Sequence, residues 1–384
     1  MSDQKTVLVL GAGVGGLVAA NRLRRHLKNC RIILVDREDH HLFQPSLLWL
    51  LIGHRQAEQI RRPLGRLRHK GIEVVQGEIE QIDPAARSVR VSGQVLTGDA
   101  LVVSLGADLA SEQIPGLTEA GHSLYSLEGA TAAREALQRF RRGRIIVLTA
   151  APAYKCPAAP YEAAMLLESE FRHRGLRERL QIDFYAAEPG PMGVAGPQVS
   201  AGVRQMIEQR GISYHPEHQV RSIDPVARRI AFTNGAVAEY DLLLFVPPHR
   251  APAVAREAGL VGETGWVPVD RFTLQTSFPS VFAIGDVTAI PLTLGKPLPK
   301  AGVFAHGQAE VVARNLAYAW MRRGKPDRFN GHGACFLEAG DGKAGYGSGD
   351  FYAEPVPQVR LHPPSRWWHL GKVLFEKRWL RSWF

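Results

Sequence analysis

Two cysteines far apart in the chain, Cys156 and Cys335, are the residues best suited to redox or nucleophilic chemistry. Cys156 follows Lys155 and precedes a predicted helix that has Pro157 near its start and Glu162 in its first turn. A helix N-terminus and an adjacent cation both favour negative charge, so the sequence predicts a lowered pKa for the Cys156 thiol. The residues alone leave two alternatives open: Cys156 as a small apolar loop residue, and Glu162 as a carboxylate that merely suits the helix dipole.

A glycine-rich loop is the second chemical feature. Gly11, Gly13 and Gly16 form G-x-G-x-x-G between a predicted strand and helix, and Asp36 ends the next strand. Glycines let a pyrophosphate approach backbone N–H groups at a helix N-terminus, and an acidic residue at that distance accepts hydrogen bonds from a ribose. A turn that binds nothing is the alternative. Strand, helix and acidic residue in register favour dinucleotide binding.

A second loop, TAAPAYKCPAAPYE, follows the predicted strand 144–148 and lacks the G-x-G-x-x-G pattern. Its prolines have no N–H to donate, and side chains at Ala150 and Ala151 would crowd a pyrophosphate on the backbone. The sequence therefore disfavours a nicotinamide dinucleotide here.

The elements that must position these residues alternate between strands and helices. A predicted helix spans 17–27, and predicted strands cover 6–10, 31–35, 73–75, 89–91, 100–105, 144–148, 182–186, 242–246 and 281–284. This order predicts an α/β fold with mostly parallel sheets in two Rossmann-like domains. The expected boundaries are 1–110 with 235–330 for a discontinuous dinucleotide-binding domain, 111–234 for a second domain carrying Cys156, and 331–384 for a C-terminal region.

The composition limits the classes of binding partner that the chain is expected to have. The 384 residues carry 47 Lys and Arg against 37 Asp and Glu, and the net charge of +10 favours an anionic partner. Aromatic residues do not alternate with the basic clusters, so nucleic acid is disfavoured. The N-terminus shows no secretory signal pattern, and the longest apolar run, 47–52, is far shorter than the roughly 20 residues that span a bilayer. We expect neither export nor a membrane span, and we predict no metal site.

The C-terminal segment 366–384, RWWHLGKVLFEKRWLRSWF, carries four tryptophans. Its helical projection predicts two short amphipathic pieces with a break near Glu376, both presenting Trp and Phe edged by Lys and Arg. That pattern is typical of an anchor at a membrane interface. An aromatic tail that docks on its own domain or on a dimer partner is the alternative.

Three motifs together resemble the flavoproteins that have two dinucleotide-binding domains. They are the glycine loop, ALVVSLGA at 100–107, and TSFPSVFAIGD at 276–286. The resemblance implies that FAD binds near Gly106 and Gly285, and that Asp286 contacts the ribitol and phosphate region of FAD.

Further segments resemble the sulfide:quinone oxidoreductases and the related flavocytochrome c sulfide dehydrogenases over nearly the whole chain. These segments are KCPAAPYE, HGACFLE and LPKAGVFAHGQAE. The resemblance implies that Cys156 and Cys335 face the flavin, form a disulfide or sulfur bridge and take up sulfide, with Cys335 passing electrons to the flavin. It also implies roles for four further residues: Glu162 as proton acceptor, Lys300 near the anionic edge of the flavin, and Phe336 and Phe375 in a quinone pocket.

The chain departs from that family pattern at two places. Tyr125 and Ser126 stand where many members have a third cysteine, and the loop HLFQPSLLWL lacks the cysteine that tethers FAD in flavocytochrome c. FAD is therefore predicted to be non-covalent. Histidines near the active site of some members do not align, which leaves the proton path open.

The sequence thus predicts FAD-dependent oxidation of sulfide to polysulfide or sulfur by a peripheral membrane protein that reduces a quinone. Three rivals remain: a sulfide dehydrogenase with a cytochrome c partner, a type II NADH:quinone oxidoreductase, and a membrane-docked FAD scaffold or sulfur carrier. The identity of the quinone and the oligomeric state, a homo-oligomer included, are left open.

Overall fold

The computed structural model describes residues 4–322 and 324–384. Its first sheet is parallel and five-stranded, in the order Val281–Ala283, Ala100–Val103, Thr6–Leu10, Arg31–Asp36, Glu73–Gln76. The helices Val14–His26 and Gly302–Met321 pack on each other beside this sheet. Most strand residues are apolar and buried because neither face of the sheet meets solvent.

The second sheet is also parallel and five-stranded. Its order is His122–Ser123, Leu242–Val246, Gly143–Thr149, Leu180–Ala186, Ser213–His215. The two chain crossings, Asp108–Leu109 and His249–Arg250, pair with each other. The second crossing therefore lies after residue 246, later than the predicted 234–240, because the buried apolar strand Leu242–Val246 belongs to the second sheet and not to the first.

Smaller groups of strands and several helices flank the two sheets. Two three-stranded meanders consist of Ile79–Asp83, Ser88–Val91 and Gln94–Thr97, and of Val220–Asp224, Arg229–Phe232 and Val237–Glu239. Two-stranded pairs are His40–Leu42 with Arg61–Pro63, which is antiparallel, and Val267–Pro268 with Thr288–Ala289, which is parallel. The remaining α-helices are Leu47–Leu51, Leu117–Ala120, Leu127–Arg139, Ala159–His173, Pro197–Glu208 and Ala253–Glu257.

The C-terminal region is an antiparallel sheet followed by a helix. The strands are His332–Gly340, Lys343–Asp350 and Gln358–Ser365. The helix Arg366–Ser382, called the C-terminal helix below, starts directly after them, and the Ser365 hydroxyl caps it by accepting from the N–H of Trp368 over 3.3 Å.

The predicted break near Glu376 is wrong, because the C-terminal helix is continuous through it. Its inward face carries Lys372, Glu376, Trp379 and Leu380, all buried. The Glu376 carboxylate accepts hydrogen bonds from Ser46 Oγ over 2.6 Å and from Arg55 over 2.8 Å. Because Glu376 has polar partners in the interior, it can lie on the buried face of one continuous helix. One face of that helix packs on the protein and the other faces solvent. Within the part of the chain that the structure describes, no helix is long and apolar enough to cross a membrane.

Candidate active site

The glycine loop joins the strand Thr6–Leu10 to the helix Val14–His26. Gly11 has a φ of +91°, and a Cβ there would lie 2.4 Å from the carbonyl oxygen of Ser104. A Cβ at Gly16 would lie 1.7 Å from the Gly11 oxygen, whereas a Cβ at Gly13 or Gly106 would meet nothing within 4 Å. Packing thus requires glycine at positions 11 and 16. At Gly13 and Gly106 the backbone is open, which leaves room for a pyrophosphate.

The start of this first helix suits an anion. Gly13 is its N-cap, no side chain caps it, and its first turn holds no acidic residue. Its backbone N–H groups are available to a phosphate. Asp36 ends the neighbouring strand and accepts from the N–H of Ala12 and, over 2.8 Å, from that of Glu38. Carboxylate oxygens have further lone pairs for a ribose, so these residues fit a dinucleotide.

Asp286 and two lysines form a second part of the candidate FAD site. Lys300 Nζ donates to the carbonyl oxygens of Asp286, over 2.6 Å, and Thr288, over 2.9 Å, and lies 3.3 Å from the Trp266 ring centroid. Burial lowers the pKa of Lys300 to about 7, opposed by Asp286. Burial raises the pKa of Asp286, opposed by Lys155 and Lys300. A partly desolvated pair of cations near the glycine loop suits the anionic edge of a flavin.

Gly285 and the start of the next helix connect the Asp286 turn to the cysteine loop. Gly285 has a φ of +75°, and its N–H donates to Gln308 Oε1 over 2.7 Å. The next helix begins at Gly302, so Lys300 precedes it and reaches back to the Asp286 turn. The N–H of Cys156 donates to the Lys300 carbonyl over 2.6 Å, which joins this turn to the cysteine loop.

Cys156 and Cys335 converge from different elements. Cys156 lies in the loop before the helix Ala159–His173 with a φ of +47°, and its carbonyl accepts from Tyr125 Oη over 2.9 Å. Cys335 lies on the strand His332–Gly340, which packs against that helix. Both are free thiols, and each cysteine is within electrostatic range of Glu162.

The predicted lowering of the Cys156 pKa is wrong. Burial raises the pKa of that thiol well above its ordinary value, with Cys335 and Glu162 adding to the effect and only Lys372 among the charged side chains opposing it. Burial and Glu162 also raise the pKa of Cys335 to about 12, although its side chain keeps contact with solvent. The helix begins three residues beyond Cys156, and desolvation outweighs its dipole. Lys155 instead interacts with Asp286.

Glu162 stands in the first turn of the helix Ala159–His173, as predicted, and is buried. Its Oε2 accepts from Lys372 Nζ over 2.7 Å and from the N–H of Glu338 over 2.9 Å. Burial raises the pKa of Glu162, and Lys372 opposes the shift. Burial works against the Lys372 cation, but Glu162 and Glu338 outweigh it and raise the lysine pKa.

The two aromatic residues predicted for a quinone pocket lie near each other. Phe336 adjoins Cys335 on its strand, and its ring centroid is 6.4 Å from that of Phe375 on the C-terminal helix. Phe375 also packs against Phe43 and Trp379, at 5.6 and 5.9 Å. The arrangement offers flat apolar surface beside Cys335.

The second loop is filled by tyrosines. Glu188 lies just after the strand Leu180–Ala186, where a nicotinamide-binding domain would place its ribose-binding acid. Its carboxylate already accepts from the hydroxyls of Tyr154, Tyr161 and Thr149. These phenols occupy the hydrogen-bonding capacity that a ribose would need.

Sequence reasoning missed Lys372 and Glu338, which contact Glu162, and His369, which contacts Glu338. His369 Nδ1 lies 3.0 Å from Glu338 Oε2. A signal was present: His369, Lys372 and Glu376 recur at helical spacing within an otherwise aromatic segment, and a polar stripe of that kind indicates buried pairing.

Comparisons with known proteins cover this whole arrangement. Residues 5–309 match a family model described as pyridine nucleotide-disulphide oxidoreductase. The chain is 30% identical over 396 residues to the sulfide-quinone reductase of Aquifex aeolicus, with 98% of this chain and 90% of that protein covered. It is 27% identical over 366 residues to the mitochondrial sulfide:quinone oxidoreductase of Mus musculus, with 91% and 79% covered.

A solved structure shows the same likeness. The X-ray structure of the sulfide:quinone oxidoreductase from Aquifex aeolicus matches with a TM-score of 0.89 and 27% identity, covering 99% of this chain and 91% of that one. The family model ends at residue 309, before Cys335, whereas this structure also covers the C-terminal sheet and helix.

Proposed function

Because this chain belongs to the sulfide:quinone oxidoreductase family, within the pyridine nucleotide-disulphide oxidoreductases, we propose that it oxidises sulfide and transfers the electrons to a quinone. The single observation that carries the proposal is the convergence of Cys156 and Cys335 on the buried Glu162 and Lys372. Two thiols that lie far apart in the chain, beside a carboxylate and an ammonium group, suit sulfur chemistry with proton transfer.

The cysteines would work as an oxidised pair. Hydrosulfide attacks the Cys156–Cys335 disulfide, one S–S bond breaks and another forms, and the products are a persulfide on one residue and a thiolate on the other. Reclosing the pair through the added sulfur atom releases one proton and two electrons. Further hydrosulfide lengthens the bridge until polysulfide or sulfur leaves.

The raised thiol pKa values favour the bridged resting form. Desolvation disfavours a thiolate at Cys156 in particular, and a neutral bridge carries no charge to desolvate. Lys372 is the cation placed to stabilise the thiolate that hydrosulfide attack releases. Glu162 is placed to accept the proton.

FAD would be held by Gly11, Gly13, Gly16, Asp36 and Asp286, and when bound it supplies a two-electron acceptor that can pass electrons to a quinone. The loop around Phe43 offers no cysteine, so FAD would be non-covalent. Lys155 and Lys300 would stabilise negative charge on it, since both are partly desolvated ammonium groups.

The quinone would bind between Phe336 and Phe375 and reach them from a membrane surface. The outward face of the C-terminal helix exposes Trp367, Leu370 and Leu374 at 79%, 46% and 57% of their surface. Four exposed cations flank these residues: Arg366, Lys377, Arg378 and Arg381. Apolar side chains edged by cations suit the interface of an anionic bilayer.

One experiment separates this function from its rivals. Sulfide is added anaerobically to the FAD-loaded protein, flavin absorbance is followed, and decylubiquinone is then supplied. We expect bleaching by sulfide and recovery with the quinone. Bleaching by NADH in its place would indicate an NADH dehydrogenase, recovery with cytochrome c but not quinone a sulfide dehydrogenase, and no bleaching by either donor a scaffold.

A further inference from the structure

A continuous line of ionisable side chains leads from the cysteine pair into the C-terminal region. Glu162 Oε2 is 2.7 Å from Lys372 Nζ, and that ammonium group is 3.9 Å from Glu338 Oε1. The other end of the Glu338 carboxylate is 3.0 Å from His369 Nδ1. Glu162, Lys372 and Glu338 are buried, whereas His369 is half-buried.

The line ends at a cavity of about 330 Å³ that Glu338 and His369 help to form. Trp49 lies between the cavity and Lys372. Its ring centroid is 5.0 Å from Lys372 Nζ, and the ring packs edge-on against His369. Besides His369, six charged or titratable groups line the cavity: His54, Glu170, His173, Glu338, Asp341 and Arg366. Neither Phe336 nor Phe375 lines this cavity, so it is separate from the proposed quinone pocket.

The proposed reaction needs such a connection. One hydrosulfide, one quinone and one proton give one sulfur atom at oxidation state zero and one quinol. Sulfur loses two electrons, the quinone gains two, and the second hydrogen of the quinol must come from solvent. Glu162 and Lys372 are buried, so a proton that passes between them and solvent needs a route of exchangeable groups.

We infer that His369 and Glu338 form a proton-uptake route from this cavity to Lys372 and Glu162, an inference that rests on the proposed function. His369 takes a proton at Nε2 and releases one from Nδ1 to Glu338. The Glu338 carboxyl passes it to Lys372 when the ammonium group has given its own proton to Glu162, and Glu162 takes that proton after the one it accepted from hydrosulfide has gone to the quinone. Each transfer restores the charge of the donor.

The other charged groups around His369 do not compete for its proton. Asp341 is paired with Arg172 over 2.8 Å and lies 3.4 Å from His173. Arg366 and His54 face the cavity without a salt bridge to His369. Glu338 is the only carboxylate within salt-bridge distance of this imidazole among residues 4–322 and 324–384.

The test uses the full-length, FAD-loaded protein and the variant His369→Gln. Reduction by sulfide and reoxidation by decylubiquinone are measured separately between pH 6 and 9. We expect sulfide reduction within about twofold of wild type and quinone reduction slowed at least about tenfold. The deficit should grow with pH and be partly restored by imidazole in the buffer, which a purely structural role for His369 would not produce.

A second variant and an independent readout guard against misfolding. Glu338→Gln should slow quinone reduction as His369→Gln does, whereas Glu338→Asp should retain more activity. In NMR spectra, Glu338→Gln should move the Nδ1 resonance of the His369 ring relative to wild type, because it removes the carboxylate that lies 3.0 Å from that nitrogen. His332→Gln is the matched control, since His332 is an exposed histidine on the strand of Glu338.

The outcomes are distinct. Wild-type quinone reduction in both His369→Gln and Glu338→Gln would overturn the route while leaving the proposed function intact. Failure of sulfide to reduce the wild-type protein at all would instead remove the proposed function.

Discussion

The indole Nε1 of Trp379 donates a hydrogen bond to Nε2 of His41 over 3.1 Å. Since an indole nitrogen only donates, Nε2 accepts and the His41 proton resides on Nδ1, which donates to the carbonyl oxygen of Ala12 over 2.8 Å. Ala12 stands inside the glycine loop. The C-terminal helix is therefore tied, through one neutral buried histidine, to the loop predicted to hold the pyrophosphate of FAD.

Replacing Trp379 by Phe should loosen that tie. The ring volume is largely kept, but His41 Nε2 loses its buried donor, at a cost of about 1–3 kcal/mol in the free energy of unfolding. We expect a lower urea midpoint and faster loss of FAD fluorescence quenching on dilution. Trp367→Phe, at a residue 79% exposed, is the matched control and should change stability by less than about 0.5 kcal/mol.

His41 should also make stability depend on pH. Burial lowers the pKa of His41 to about 4 from an ordinary 6.5, against the bond to Ala12. The unfolded chain then binds a proton between pH 6.5 and 4 that the fold does not, so stability is lost as pH falls through that window, by about 3 kcal/mol in full. Urea unfolding at several pH values should show the slope in wild type and a shallower one in His41→Gln. Equal slopes would show that other groups control the acid response.

Removing one thiol tests the cysteine pair. Cys335→Ser should keep FAD and lose more than about 100-fold in the rate of sulfide-dependent flavin bleaching, because no bridge can form. Cys30→Ala is the matched control: Cys30 is buried in the core of the first domain and should not affect the rate. Sulfide reduction at the wild-type rate in Cys335→Ser would exclude the proposed pair.

Replacing only one partner of the buried ion pair Lys372–Glu162 should lower the free energy of unfolding. Lys372→Met leaves Glu162 buried with only the N–H of Glu338 as a donor, and we expect a loss of about 3–5 kcal/mol in unfolding free energy. The double variant Lys372→Met, Glu162→Gln should recover much of it, as measured by chemical denaturation. Additive losses in the double variant would mean that the pair does not interact as its 2.7 Å separation implies.

Membrane attachment is best tested on the outward face of the C-terminal helix. Trp367→Ser, Leu370→Ser and Leu374→Ser together should weaken co-sedimentation with anionic vesicles more than about 30-fold while sulfide still reduces the flavin. Deleting residues 366–384 is unsuitable, since it also removes Lys372 and Trp379. Serine at Val95, Val226 and Val237, three apolar residues exposed elsewhere, is the control and should leave binding unchanged. Undiminished sedimentation of the triple helix variant would argue against this face as the anchor.

Much of the fold is readable from local patterns. The run 6–10, the glycines and Asp36 specify a strand, a turn and an acidic residue at the end of the next strand. The convergence of Cys156 and Cys335 came from resemblance and not from spacing. The sequence did not predict which sheet the strand 242–246 joins. A buried apolar strand suits either parallel sheet, and only its neighbours in the fold distinguish the two.

The sequence by itself therefore determined the α/β architecture and the glycine loop, since these depend on backbone geometry and short-range periodicity. Only the tertiary structure decided which way the C-terminal helix faces, that Lys372 and Glu338 surround Glu162, and that Cys156 resists ionisation. Burial and the approach of charges distant in the chain control those properties, and neither is encoded in the residues adjacent to the site.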